Sequence, residues 1–185
     1  EFENRRMKLY SYVVDHDTGY APHVAEGYCT LVCCKFSKTP KWKNVVEQVK
    51  RGDWVVGTGG SGKRSAGHGK VIYAMEVAYT LPLKEYCHGK PFCRRCDVDH
   101  QAIAKQPWRR ALVSRRYWYF GKNAIRLPRT LYQIEKRGPG YKCNFEENVI
   151  IRFHHWITKQ KRGKTGPPCA EEKYGICSPR KPPGC

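Results

Sequence analysis

The stretch "GDWVVGTGGSGKRSAGHGKVIYAMEV", residues 52–77, can be read as either of two folds. Its Gly57-x-x-x-x-Gly62-Lys63 spacing is that of a phosphate-binding loop, which joins a strand to a helix whose N-terminus receives the phosphates. Its flanks, "DWVVGT" and "KVIYAMEV", are rich in β-branched and aromatic residues and read instead as two strands of a hairpin with a Gly-rich connection. Two features decide for the hairpin. Arg64 stands where a Ser or Thr would have to hold magnesium, and Gly67, Gly69 and the β-branched run after them leave no helix to supply a dipole. No ATP is expected at residues 57–63. Lys63, Arg64, His68 and Lys70 remain as mobile positive charge suited to a nucleic-acid backbone.

Upstream, "MKLYSYVV" (7–14) and "YCTLVCCKF" (28–36) read as buried strands, separated by the polar and aromatic loop "DHDTGYAPHVAEG". "WKNVVEQVKRG" spaces Trp42, Val45, Val46 and Val49 as a short helix that stops at Gly52. Downstream, residues 86–106 break into Cys, His, Arg and Asp, an irregular insertion. "ALVSRRYWYFGKNAIRLP" then gives short strands with a turn at Gly121-Lys122-Asn123. Asn144 and Glu147 have capping-box spacing for a last helix whose apolar face is Val149, Ile150, Phe153, Trp156 and Ile157. The expected class is α+β, mainly β: a single domain over 7–160, a small bent sheet or barrel flanked by two or three helices. The insertion is placed at 87–100, and 161–185 is expected to be a poorly ordered basic tail.

The chain carries 35 Lys and Arg against 16 Asp and Glu, a net charge of +19. Such an excess favours a polyanionic partner, because each phosphate that is neutralised releases counterions. Nucleic acid, with DNA favoured, or a nucleotide is therefore expected, and no membrane span, since no apolar run nears the ~20 residues a bilayer needs. "EFENRR" shows no secretory pattern, so the ten cysteines read as reduced thiols or metal ligands and the expected location is cytoplasmic.

Several stretches together, "MKLYSYVV", "DTGYAPHVAEGYCTLVCCK", "GDWVVGTGG", "VIYAMEV", "RRYWYFGKNAIRLP" and "GPGYK", resemble the nucleotide-modification-associated domain, type two. That family is expected in DNA base hypermodification systems. The 52–77 region also resembles the core of PUA-like domains of the EVE, ASCH and YTH types, which hold a flipped or modified base in an aromatic-lined pocket. The resemblance makes Tyr119 and Phe120, beside Asn123, the preferred pocket residues.

Three functions stay open. In the first, a binding module recognises a nucleotide or modified base. Tyr20, Trp54, Tyr119 and Phe120 stack on it, His23, Thr30, Thr58 and Asn123 supply polar contacts, and Arg109, Arg110, Arg115, Arg116 and Lys122 join Lys63 and Arg64 on phosphates. Residues 84–126 hold 11 Lys or Arg against 3 Asp or Glu, although alternate rings of a strand face a core. In the second, an enzyme of base modification uses Asp15, His16, Asp17 or His23 as acid and base, with Cys29 as nucleophile. In the third, an interaction protein is stabilised by zinc on Cys87, Cys93, Cys96 and His100, with His88 as a substitute ligand. Cys143, Cys169, Cys177 and Cys185 read as accessible thiols around the tail.

Overall fold

The computed structural model describes residues 5–98 and 100–170, without the side chains of 100 and 101. Cys177 and Cys185 therefore lie outside the described residues. The strands are β1 (Leu9–His16), β2 (His23–Ala25), β3 (Tyr28–Leu31), β4 (Trp54–Arg64), β5 (Lys70–Glu76), β6 (Tyr79–Pro82), β7 (Arg110–Ser114), β8 (Arg116–Tyr119), β9 (Ile125–Arg126), β10 (Tyr141–Lys142) and β11 (Gly163–Lys164). The helices are α1 (Val45–Gln48), α2 (Leu83–His88), α3 (His100–Lys105) and α4 (Glu147–Thr158), with 3-10 turns at Gly121–Asn123 and Arg129–Ile134.

The decisive stretch is a hairpin: β4 runs antiparallel to β5, with Trp54 opposite Glu76 and Gly57 opposite Tyr73. On its other edge β4 lies parallel to β1. These strands belong to one sheet, ordered β10-β1-β4-β5-β8-β11 with β9 also on β5. A second sheet is ordered β2-β3-β7-β6, so the architecture is α+β with two bent sheets rather than a closed barrel. The chain crosses between them at Ser114, whose hydroxyl donates to the Glu76 carbonyl (2.6 Å) and accepts from the Arg116 amide (3.1 Å).

Side-chain alternation builds four layers from this plan. Tyr10, Tyr12 and Val14 of β1 meet Leu31 and Leu112 of the second sheet and Val45, Val46 and Val49 around α1, making the inner core. The opposite face of the first sheet, with Leu9, Trp54, Val56, Trp118 and Phe120, is covered by Val149, Ile150, Phe153 and Ile157 of α4. Trp54 stacks on Trp118 with ring centroids 5.5 Å apart. Beyond the second sheet, Leu83, Tyr86 and Cys87 of α2 pack with Phe92 and Ala102 on Val32, Ala111 and Val113.

Three expectations need correction. The 87–100 region is irregular between α2 and α3, as expected, but it is not a solvated excursion: Cys87 and Phe92 are buried in this third core. Helix α4 has the expected apolar face but begins at Glu147, with Glu146 at its N-cap and no side-chain cap, so Asn144 caps nothing. The tail is ordered at least to residue 170: β11 pairs in parallel with Trp118 and Tyr119, and Lys122 donates its amide to the Pro167 carbonyl (2.8 Å).

Candidate functional site

A half-open cleft of about 370 Å³ lies at the C-terminal end of β1. Tyr12, Val13, Val14, Asp15 and His16 come from β1, Thr18, Tyr20 and Ala21 from the loop after it, and Cys33, Cys34 and Lys35 from the segment after β3. Tyr12 is buried and shares a 2.6 Å hydrogen bond between its hydroxyl and that of Tyr73, while the Lys35 ammonium sits 5.2 Å above its ring. Asp15, His16 and Tyr20 are exposed. Beyond β3 the chain bends over residues 33–35, and Lys35 adopts a φ of +58°, a left-handed conformation in that bend along the cleft wall. Burial raises the Cys34 thiol above its ordinary pKa, so this wall is neutral and apolar apart from Lys35.

The glycines of β4 serve this geometry rather than a phosphate. A Cβ at Gly60 would overlap the Asp15 carboxylate and the Val13 side chain, and one at Gly57 would overlap Tyr73 and Val14. The bare backbone of β4 thus lets the end of β1 lie against it. Ser65 locks the approach, accepting from the Gly60 amide (2.8 Å) and donating to the Val14 carbonyl (2.5 Å). The Gly57–Lys63 run is itself strand, and the next element is β5, so no helix N-terminus stands behind it. At its basic end, Arg64 pairs in register with His16, which sets exposed Lys63 and Arg64 beside the cleft.

Other sequence candidates fall elsewhere. Asp17 is buried: it accepts from the Tyr119 hydroxyl (2.6 Å) and from the Cys169 amide (2.9 Å), and its carbonyl accepts from the Ala170 amide (2.9 Å). It fastens the 165–170 segment and does not line the cleft. Burial and the Asp17 carboxylate push the Tyr119 hydroxyl above its usual range and the Cys169 thiol up to about 12. Tyr119 and Phe120 are both buried and face opposite sides of the sheet, Tyr119 the inner core and Phe120 the layer under α4, so the two rings form no common slot. Trp54 is likewise sealed against Trp118 and Phe153. Thr58 donates to the Tyr12 carbonyl (3.3 Å), and Asn123 donates to the Thr165 carbonyl (2.9 Å). His23 sits on β2, its Nδ1 3.0 Å from the Gly19 carbonyl. Cys29 is buried in the inner core, and desolvation raises its thiol far above the range in which a thiolate nucleophile forms.

The arginines divide by burial. Arg109 is 2% exposed, donates to the Val32 carbonyl (3.0 Å) and lies 3.6 Å over the Phe36 ring, so it cannot meet a phosphate. Arg110, Arg115 and Lys122 are exposed, while Arg116 pairs with Glu76 at 2.7 Å.

The insertion contributes a buried network that composition did not reveal. Asp97 accepts from Tyr86 (2.7 and 2.8 Å) and from Thr30 (2.6 Å). Beside it Arg95 donates to the Ala25 and His23 carbonyls (2.8 and 3.0 Å). Thr30 is therefore a structural anchor, not a ligand contact. Cys93 and Cys96 are disulfide-bonded, Cys87 is buried, His88 is exposed, and the His100 side chain is outside the described residues. Only a reduced form would present the zinc set drawn from the spacing. Among the described residues no group of three or more His, Cys, Asp or Glu is arranged to hold a metal ion.

Of the cleft residues, sequence reasoning named Asp15, His16 and Tyr20 and missed the rest, most notably Tyr12, Thr18, Cys33, Cys34 and Lys35. The run "LVCCKF" is apolar enough to pass for continued strand, but β3 ends at Leu31 and the chain bends over residues 33–35 at the cleft. Among the described residues no helix is long and apolar enough to cross a membrane. No curated protein and no solved structure matches the chain. The family model described as nucleotide modification associated domain 2 matches residues 6–106 and 98–174, which is most of the chain, and the protein belongs to that family.

Proposed function

We propose that this domain is a nucleic-acid-binding module that takes a nucleotide, or a base presented by a nucleic acid, into the cleft at the end of β1. One observation supports the reading above the others: Tyr20, His16, Asp15 and Lys35 line a single half-open recess, and Arg64 pairs in register beside it. A planar base needs an aromatic face, which Tyr20 and the His16 ring offer. Its exocyclic amine needs an acceptor, which Asp15 provides, and its phosphate needs the cations Lys35, Lys63 and Arg64. The net charge of +19 then steers a polyanion to the surface before any local contact forms.

The test is calorimetric titration of the full chain with nucleoside monophosphates carrying ordinary or modified bases. Tyr20→Ala is expected to weaken the tightest of them by about 1–3 kcal/mol, the range for one lost base–aromatic stack, with the thermal midpoint unchanged. Affinity indifferent to both Tyr20→Ala and His16→Ala would remove the cleft from the account.

A further inference from the structure

The segment between β3 and α1 does more than wall the cleft. After Lys35 it runs "FSKTPKWKN", and Lys35, Lys38, Lys41 and Lys43 occur with no acidic residue among them. Both ends of this excursion are fastened. The Ser37 amide donates to both oxygens of the Glu47 carboxylate (2.9 Å each), and its carbonyl accepts from the Trp108 indole (3.1 Å). At the far end Asn44 and Glu47 form a capping box that opens α1. Between these anchors Trp42 stands 76% exposed, flanked by exposed Lys38, Lys41 and Lys43. Indole is the largest apolar side chain and is ordinarily buried or held at an interface. Here it projects from a pinned loop whose exposed charged side chains are all lysines, a combination that matches a strand of stacked bases on a phosphate backbone.

We infer that the 38–43 loop is a second contact point for nucleic acid, in which Trp42 stacks on an unpaired base while Lys38, Lys41 and Lys43 neutralise its phosphates, and an unpaired strand entering the cleft passes over this loop. The inference rests on the cleft reading for the direction of the strand, but not for the contact itself. Lys35 in the cleft wall and Trp42 are seven residues apart in sequence, so their separation is at most about 25 Å. A strand of several nucleotides covers that span. An exposed ring stacks on a base already unpaired, whereas a duplex must first be opened at a cost of a few kcal/mol.

Fluorescence anisotropy of the full chain with labelled oligothymidylate and oligouridylate of about ten nucleotides, a duplex of similar length, thymidine monophosphate and vesicles rich in phosphatidylserine separates the outcomes. Trp42→Ala is expected to weaken both single strands roughly tenfold, to change the duplex less, and to leave mononucleotide binding and the thermal midpoint as they were. Replacing Lys41 and Lys43 together by Ala is expected to reduce the salt slope for the single strand by about 1.4, or ~0.7 for each lost contact. Equal losses from the two strands under Trp42→Ala leave the contact common to DNA and RNA, and a difference is assigned to the sugar only if oligodeoxyuridylate, which has uracil on deoxyribose, follows oligothymidylate. Strand affinity untouched by Trp42→Ala overturns the inference, as does a loss confined to the vesicles, which would make the loop a lipid contact. If Tyr20→Ala leaves the mononucleotide unaffected while Trp42→Ala still weakens the strand, the cleft reading falls and this contact stands.

Discussion

At Gly57 a single added methyl would occupy the space of the Tyr73 ring and the Val14 side chain, both in the inner core. Neither neighbour can yield cheaply, since Tyr73 is held through its hydroxyl by Tyr12 and Val14 is buried in the inner core. Gly57→Ala is therefore expected to lower stability by about 1–3 kcal/mol through overpacking, read from chemical denaturation. Lys63→Ala, at an exposed position six residues on, is expected to cost nothing measurable. The opposite ranking, with Lys63 critical to a bound triphosphate and Gly57 tolerant, would restore the phosphate-loop reading. The fate of Tyr119 and Phe120 also belongs to this scale. Composition marks them as aromatic and cation-rich in their setting, but it cannot say which way a strand faces or what covers it. Here both faces of β8 are covered, and neither ring is left for a ligand. Tyr20, by contrast, lies in the loop after β1 and is exposed at the cleft.

Among the elements, the 163–170 strap is the most consequential feature absent from the sequence reading. Its Pro, Gly and Lys content resembles a linker, yet it lies in parallel beside β8, with Thr165 donating its amide to the Tyr119 carbonyl (2.8 Å) and Cys169 donating to Asp17 (2.9 Å). Gly121 permits the closeness, because a Cβ there would overlap the Pro167 carbonyl. Asp17→Ala would leave the Tyr119 hydroxyl buried without its acceptor and free the end of the strap. The expected cost is about 2–4 kcal/mol, with faster hydrogen exchange at the amides of Cys169 and Ala170 than elsewhere in the sheet. Uniform exchange across the chain would show that the strap is not separately fastened. Capping signals show how local patterns mislead. The same Asn-x-x-Glu spacing occurs at 44–47 and 144–147, and only the first forms a box. At the second, the chain extends from β10 and turns helical only at Glu147, so tertiary placement overrides the local preference. The β4–β5 hairpin and the apolar face of α4 were legible because period and β-branching extend over many residues. Helix α1 was legible as well, in the spacing of Val45, Val46 and Val49. The network around Asp97 was not, since it joins Thr30 of β3 to Tyr86 and Asp97, far apart in the chain.

For the whole molecule, the positive excess and the layered fold act on different steps of binding. Two sheets with a core between them and helices outside position the end of β1, and Lys35 lines the cleft there with Arg64 paired in register to His16 at its edge. Affinity for nucleic acid that arises from charge alone would be spread over every exposed cation, including Arg110, Arg115 and Lys122. A recess that receives a base makes a sharper demand, which photo-crosslinking meets directly. The full chain would be irradiated with a 5-iodouracil-containing oligonucleotide and the adduct located by fragmentation mass spectrometry. The expected result is a dominant adduct on Tyr20 or His16; adducts confined to residues 108–126, with Tyr20 and His16 unmodified, would contradict the cleft as the base-binding site.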